Sequence, residues 1–348
     1  MKRRNFIIYG ILFSLAVISF FIVRFNYFSP MFSPGERKDV PVNSIIKGHK
    51  ITFRDMKAYF KGNQFESGKE DPNKYFSQTI INQDTIKYFK FLQCEIKGEN
   101  LEDHLNEVKT YIHSVMDSKK ADEMFAFYQK FCAYEIDLAK KVKDWPQPKS
   151  AADMIQYLEA IQEYRREVFG AEAADALWAI EVKGQEYNIR RGAIIHDPNL
   201  YGVEKERQIS ALKAEMWGTG PDAMEDLPKN DPERYAKYQE NEAIYKKDLE
   251  ELPENLRKDK IVEFRKAVFT PEQLARLEKV DEEVEQEKLK ENDYYVQENK
   301  FKMDQSMSRD QQEEAIRELQ DQTFGDEAEA FRRRQNIGKD VDAVNIGK

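Results

Sequence analysis

Histidine is the side chain most often used to move a proton or hold a metal near neutral pH. The 348-residue chain has four, His49, His104, His113 and His196. They are scattered, and none stands in an HExxH arrangement that would put two imidazoles on one helical face. No Gly-x-Ser-x-Gly elbow, Walker loop or dinucleotide fingerprint is present in the sequence. The two cysteines, Cys94 and Cys132, lack the paired spacing of a zinc site. Outside the cytoplasm they could form one disulfide, a matter of geometry that their spacing leaves open. Acidic pairs abound, but 64 Asp and Glu residues guarantee them by chance and cannot mark a glycosidase. His196, beside Asp197 and Pro198, has a structural use as a cation at a helix C-terminus. The expectation is a protein with no catalytic residues, cofactor or metal; an enzyme would need a site assembled from residues distant in sequence.

The elements that would position any site are helical. The chain is 41% hydrophobic and 34% charged with a mean hydropathy of -0.77, which suits helices with long solvated faces and excludes a multi-span membrane protein. Only 15 glycines and 12 prolines argue against a turn-rich sandwich or barrel. A formal charge of -9 makes nucleic acid an unsuitable partner, because phosphate binding needs a concentrated basic surface.

Lys2, Arg3 and Arg4 precede an uncharged, mainly apolar run from Asn5 to Val23, closed by Arg24. That run is near the roughly 20 residues that span a bilayer, and the basic cluster before it sets the N-terminus in the cytoplasm. A cleavable signal peptide is the rival reading. Phe20-Phe21-Ile22-Val23 offers no small-x-small cleavage site, and Ser14-x-Ala16 would leave a very short apolar core, which favours an uncleaved anchor. Residues 1–25 are therefore read as basic cluster and transmembrane anchor, and 26–43, with Pro30, Pro34, Gly35 and Pro41, as a short tether.

Residues 44–147 form a first small helical domain. Leu105, Val108, Ile112 and Val115 share one helical face, and Phe125, Tyr128, Phe131 and Tyr134 make an aromatic stripe. Trp145-Pro146-Gln147-Pro148 breaks the pattern. Residues 148–256 read as an extended helical arm. Ser150 with Asp153 predicts a capped helix carrying Met154, Leu158, Ile161 and Val168; a second, opened by Glu172, carries Ala174, Leu177 and Trp178 as far as Ile195; a third carries Ile209, Leu212 and Met216. Residues 257–348 make a second small helical domain with a densely charged, solvated helix from Glu278 to Lys302 and a frayed tail from Asn336.

One local device recurs. Arg165, Phe169, Gly170 and Glu172 are matched by Arg265, Phe269, Thr270 and Glu272, and in part by Phe324, Gly325 and Glu327. A helix ends in an aromatic residue, a small residue turns the chain, and an acid meets the positive end of the next helix. The unequal spacing of the copies makes this a helix-turn-helix joint and not a regular solenoid.

The order Arg165-Arg166-x-x-Phe169-Gly170-x-Glu172-Ala173-Ala174-x-Ala176-Leu177, then Ile194-x-x-Asp197-Pro198-x-Leu200, Glu204-Lys205 and Leu212-Lys213-Ala214-Glu215, resembles the lipase chaperones, membrane-anchored steric foldases of secreted bacterial lipases. Where that family commonly has a capping Ser-Asp pair after the leucine, this chain has Tyr201-Gly202, a weaker start with glycine as substitute cap. Ser44-Ile45-Ile46-Lys47-Gly48 is similar to the start of the family's folded part. The stretch from Gln83 to Glu99 matches the family signature Arg-x-x-Phe-Asp-Tyr-[Phe/Cys]-Leu-Ser-Ala-x-Gly-Glu only in part. In one register Gln83 and Lys87 replace its charged residues, in the other Ile86 and Lys90 do.

The resemblance implies an all-α fold of two small helical domains joined by an extended arm, anchored in a bacterial inner membrane and facing the periplasm. It implies a secreted lipase as client, held one-to-one and folded without ATP. Tyr88, Phe89, Phe91, Gly98 and Glu99 are then the client-activating candidates, while Arg165, Phe169, Gly170, Glu172, Arg265, Phe269 and Glu272 hold joints. Aromatic residues at helical spacing have core packing as their simpler role. A tethered helical scaffold without foldase activity is the alternative.

Overall fold

The computed structural model describes residues 45–46, 51–61, 71–220 and 230–335. The proposed anchor, tether and tail lie outside the described residues. Among those described there are helices and no strands, and no helix is long and apolar enough to cross a membrane. In order the helices are α1 (Phe53–Lys61), α2 (Pro72–Tyr75), α3 (Thr85–Glu95), α4 (Leu101–Val115), α5 (Ser118–Asp144), α6 (Ala151–Phe169) and α7 (Ala171–Ile195). There follow α8 (Gly202–Trp217), α9 (Asp231–Ile244), α10 (Lys246–Glu251), α11 (Glu254–Val268), α12 (Pro271–Met303), α13 (Arg309–Phe324) and a 3-10 turn, Gly325–Glu327. The chain divides into two compact units, Met1–Ile261 and Val262–Lys348, with the division inside α11.

Several helices start where a side chain satisfies free backbone groups. Asn100 accepts the Asp103 N–H at the start of α4, and Ser150 and Asp153 form a reciprocal capping box on α6. Gly170, at φ 85°, ends α6 and admits α7 one residue before Glu172. Thr270 with Gln273 and Ser308 with Gln311 form capping boxes on α12 and α13.

In the first unit Phe89 and Leu92 of α3, Val108 and Ile112 of α4, Met124, Tyr128 and Phe131 of α5, Leu158 and Ile161 of α6 and Leu177 and Trp178 of α7 join one core. Residues on both sides of Trp145–Pro148 thus share it. Each fully buried side chain of this size contributes about 1.5–3 kcal/mol by leaving water. A second cluster sets Phe53 and Met56 of α1 against Ile180 and Tyr187 of α7 and Leu212, Met216 and Trp217 of α8. The rings of Phe53, Tyr187 and Trp217 meet edge to face at 5.7–5.8 Å. In the second unit Tyr294, Leu319 and Phe331 are buried together, and Phe324 stacks on Phe331 at 3.9 Å.

The start of α8 departs from the expected glycine cap. Tyr201 makes no side-chain capping bond; instead the Gly202 N–H donates to Asp248 of α10 at 2.7 Å, so the cap comes from another helix. Glycine is needed for a second reason, since a Cβ there would lie 2.2 Å from the Tyr245 ring. Tyr201 is held from the same side, its hydroxyl 3.0 Å from Glu251 and its ring under the Lys247 ammonium. Gly202→Ala should therefore cost about 1–3 kcal/mol through overpacking. It should lower the thermal midpoint by several degrees; an unchanged midpoint would show that Tyr245 does not press on α8.

Candidate functional site

Three groups of residues carry the geometry that could serve a function: the α3 segment with its following turn, the α6–α7 joint, and the α11–α12 joint. On α3, Tyr88 is 1% exposed and Phe89 0%, and Phe91 is also buried. Phe89 is ringed by Phe127, Tyr128 and Phe131 of α5 at 5.1–5.7 Å, and Tyr88 lies between Phe76 and Phe91. These aromatics bind α3 to its neighbours. Ile86 is buried as well, while Lys90 pairs with Glu135, which also accepts from Gln93.

The turn after α3 presses on α4. A Cβ at Gly98 would lie 2.3 Å from the His104 backbone nitrogen, so the close approach requires glycine. The His104 ring ties the corner together, with Nδ1 3.0 Å from the Ile96 carbonyl and Nε2 2.7 Å from the Tyr128 hydroxyl. A carbonyl only accepts, so Nδ1 carries the proton and Nε2 accepts from Tyr128. Burial pushes the imidazole pKa down, partly opposed by the Ile96 bond. Glu99 is exposed at the tip of this corner. The two cysteines are free thiols, Cys94 exposed and Cys132 buried, with burial pushing the Cys132 thiol up to about 11.

At the α6–α7 joint Arg165 is 3% exposed. Its guanidinium donates to the Tyr134 hydroxyl at 3.0 Å, to Glu181 at 3.1 Å and to Gln162 at 3.4 Å, and lies over the Trp178 ring. Phe169 packs on Phe127, Tyr134 and Trp178. Glu172 is exposed in the first turn of α7, where its charge faces the helix N-terminus. Neighbouring Arg166 forks onto Asp175 at 2.8 and 3.1 Å and donates to the Ile45 carbonyl at 2.9 Å. The Ile45 N–H donates to Glu186, itself paired with Arg190 at 2.9 Å. One residue of the opening segment is thereby held through both its N–H and its carbonyl by ion-paired side chains. Asp175, Glu186 and Arg190 were not singled out from the sequence; the i,i+4 pairing of Glu186 and Arg190 was the available signal.

The α11–α12 joint repeats the arrangement. Arg265 pairs with Asp281 across 16 residues, the same separation as Arg165 and Glu181. Phe264 and Val268 are buried, Phe269 is half-buried, and Glu272 is exposed and bonded to Arg276 at 2.5 Å. Beyond the joint α12 stands bare, with every residue from 278 to 290 exposed. At the third position Gly325 turns the chain at φ 55° and Arg332 pairs with Asp321 at 2.8 Å.

Two open surface depressions, of about 470 Å³ beside Leu105 and Phe125 and about 290 Å³ beside Leu249 and Arg257, have no histidine, cysteine or serine in their linings. Among the described residues no three His, Cys, Asp or Glu side chains are grouped to hold a metal ion.

Comparison with known proteins adds identity to this geometry. The family described as proteobacterial lipase chaperone protein matches residues 127–329, a stretch that includes both arginine joints and bare α12 and begins after the segment 83–99. A protein named lipase chaperone from Acinetobacter baylyi is 23% identical over 255 residues, covering 70% of this chain and 68% of its own length. No solved structure matches.

Arg165→Met would strand Glu181, Tyr134 and Gln162 in the interior. It should cost about 3–5 kcal/mol, read as a lower urea midpoint. His104 gives a pH dependence. Its folded-state pKa lies below the ordinary 6.5, so the unfolded chain binds more protons at mildly acid pH. The stability it contributes is complete above that value and is lost as pH falls through the folded-state pKa. His196 acts in the same direction, lowered by burial and then by Lys205 and Lys246. Urea midpoints followed from about pH 7.5 to about pH 5 should fall, and His104→Gln should flatten part of the slope.

Proposed function

Because the chain belongs to the proteobacterial lipase chaperone family, we propose that it is a steric foldase for a secreted lipase, held by its N-terminal segment in a bacterial inner membrane with the folded part in the periplasm. The coarser role, a lipase-associated chaperone, follows from membership; the family is one of chaperones and not of catalysts. The observation that carries the finer reading is the extent of the match, which takes in both joints and the helix exposed on all sides between residues 278 and 290. A foldase needs contact area in place of a reacting pocket. Binding the near-native lipase more tightly than its trapped intermediate lowers the folding barrier without ATP or bond chemistry.

The client meets the first unit at the corner made by Gly98 and Glu99, one chaperone to one lipase. Tyr88, Phe89 and Phe91 act from beneath, by fixing α3 against its neighbours, Phe89 against α5 and Phe91 against α4, so that the corner keeps its shape. Lys2 to Arg4 and the apolar run from Asn5 to Val23 supply the anchor, and residues 26–43 the reach.

A second reading is a tethered scaffold that binds a lipase without activating it. It is favoured by one observation: the family match starts at residue 127 and leaves out α3, where the signature's charges are replaced. Refolding a cognate lipase from denaturant with the full-length chain in detergent separates the two. Foldase action leaves the lipase inactive alone, active after incubation, and still active once the chaperone is removed. A complex on size exclusion without esterase activity would overturn it in favour of the scaffold. Within an active system, Glu99→Lys should lower the yield of active lipase well beyond what its small loss of stability beside the start of α4 accounts for. Phe89→Ala should lose about 3–5 kcal/mol of the chaperone's own stability.

A further inference from the structure

The two arginine joints are copies of one design, and their difference exposes a surface. Arg165, Phe169, Glu172, Leu177 and Glu181 correspond in order and spacing to Arg265, Phe269, Glu272, Leu277 and Asp281. In the first copy the helix after the joint continues with Ile180 and Gly184, one turn apart and both buried. Ile180 packs with Phe53 and Met56 of α1 and with Leu212 and Met216 of α8. The same positions in the second copy are Val280 and Val284. They remain apolar, yet Val280 is 51% exposed and Val284 44%.

The first copy also indicates what kind of element covers such a face. α1 is a short amphipathic helix whose apolar Phe53 and Met56 are interleaved with Arg54 and Lys57 against a single acid, Asp55. Around Val280 and Val284 the charge is of opposite sign: residues 278–288 carry six carboxylates and two lysines. Asp281 is occupied by Arg265 and Glu283 is paired with Lys279 at 3.8 Å, which leaves the stretch acidic on balance. An apolar strip flanked by carboxylates is complementary to a helix with an apolar face and a lysine- or arginine-rich border.

We propose that the Val280–Val284 face of α12 is a docking site for a basic amphipathic helix of the client, which takes the place that α1 occupies over Ile180 in the first joint. The inference rests on the lipase-chaperone reading for the identity of the partner. The surface itself follows from the repeat and its charge. Hydrophobic burial of the two valines would hold the helix, and the carboxylates would steer it and set its orientation.

The test uses the full-length chain in detergent and a fluorescent synthetic amphipathic helix patterned with leucine and lysine, followed by anisotropy. Its controls are the same pattern with glutamate in place of lysine and a scrambled lysine peptide. The lysine helix alone should bind, more weakly as salt is raised. Val280→Ser with Val284→Ser should lose about tenfold or more in affinity, as should Glu282→Lys with Glu287→Lys. All four side chains are exposed, so the thermal midpoint should stay in place. Equal binding of the glutamate or scrambled peptide, or by the valine variant, overturns the proposal. So does a concentration-dependent dimer that the valine variant abolishes, which would give the face to a second copy of this chain. Lipase refolding with the same variants keeps the two readings apart. Activation by the wild type that the valine variant matches overturns the docking site and leaves the foldase standing. Valine-dependent capture of the lysine helix without activation supports the site while removing the foldase.

Discussion

The first unit depends on one buried cation. Arg165 stands where α5, α6 and α7 meet, and its three nitrogens each donate once, to the Tyr134 hydroxyl, the Gln162 amide oxygen and the Glu181 carboxylate, while its flat face lies on Trp178. A guanidinium without those partners would cost several kcal/mol to bury. The helices are therefore held at the separations and rotations that satisfy it, a directional constraint that apolar packing alone does not supply. Gln162 also donates to Asp175, which couples Arg165 to the neighbouring Arg166 fork.

That coupling reaches Ile45. Arg166 and Glu186 hold the carbonyl and the N–H of Ile45 from opposite sides. Pulling on the opening segment would thus load charge-assisted hydrogen bonds rooted in α6 and α7, not a loop.

The second joint uses the same arginine-to-acid separation with far less around it. Its pair is partly solvated, and the helix beyond it is exposed on all sides. A helix so bare is sustained by local terms: the Thr270 capping box, and side-chain pairs such as Glu272 with Arg276 and Lys279 with Glu283. One design thus yields a packed corner in the first unit and an open helical surface in the second.

Much of this was legible in order along the chain. Apolar residues at helical spacing marked α4 to α8, the Ser150–Asp153 pair marked the start of α6, and the Arg-Phe-Glu pattern at 165 and 265 marked both joints together with the family. Those signals are local, set by backbone geometry and helix ends within a few residues. Tertiary structure decided what lies far apart in sequence. It turned the Tyr88, Phe89 and Phe91 side chains inward, Phe89 against α5 and Phe91 against Tyr111 of α4, capped α8 with Asp248 from 46 residues away, and set Glu186 against Ile45 across 141 residues. No periodicity encodes such pairings, because a buried hydrogen bond depends on which surfaces come together, and that is settled only when the whole core closes.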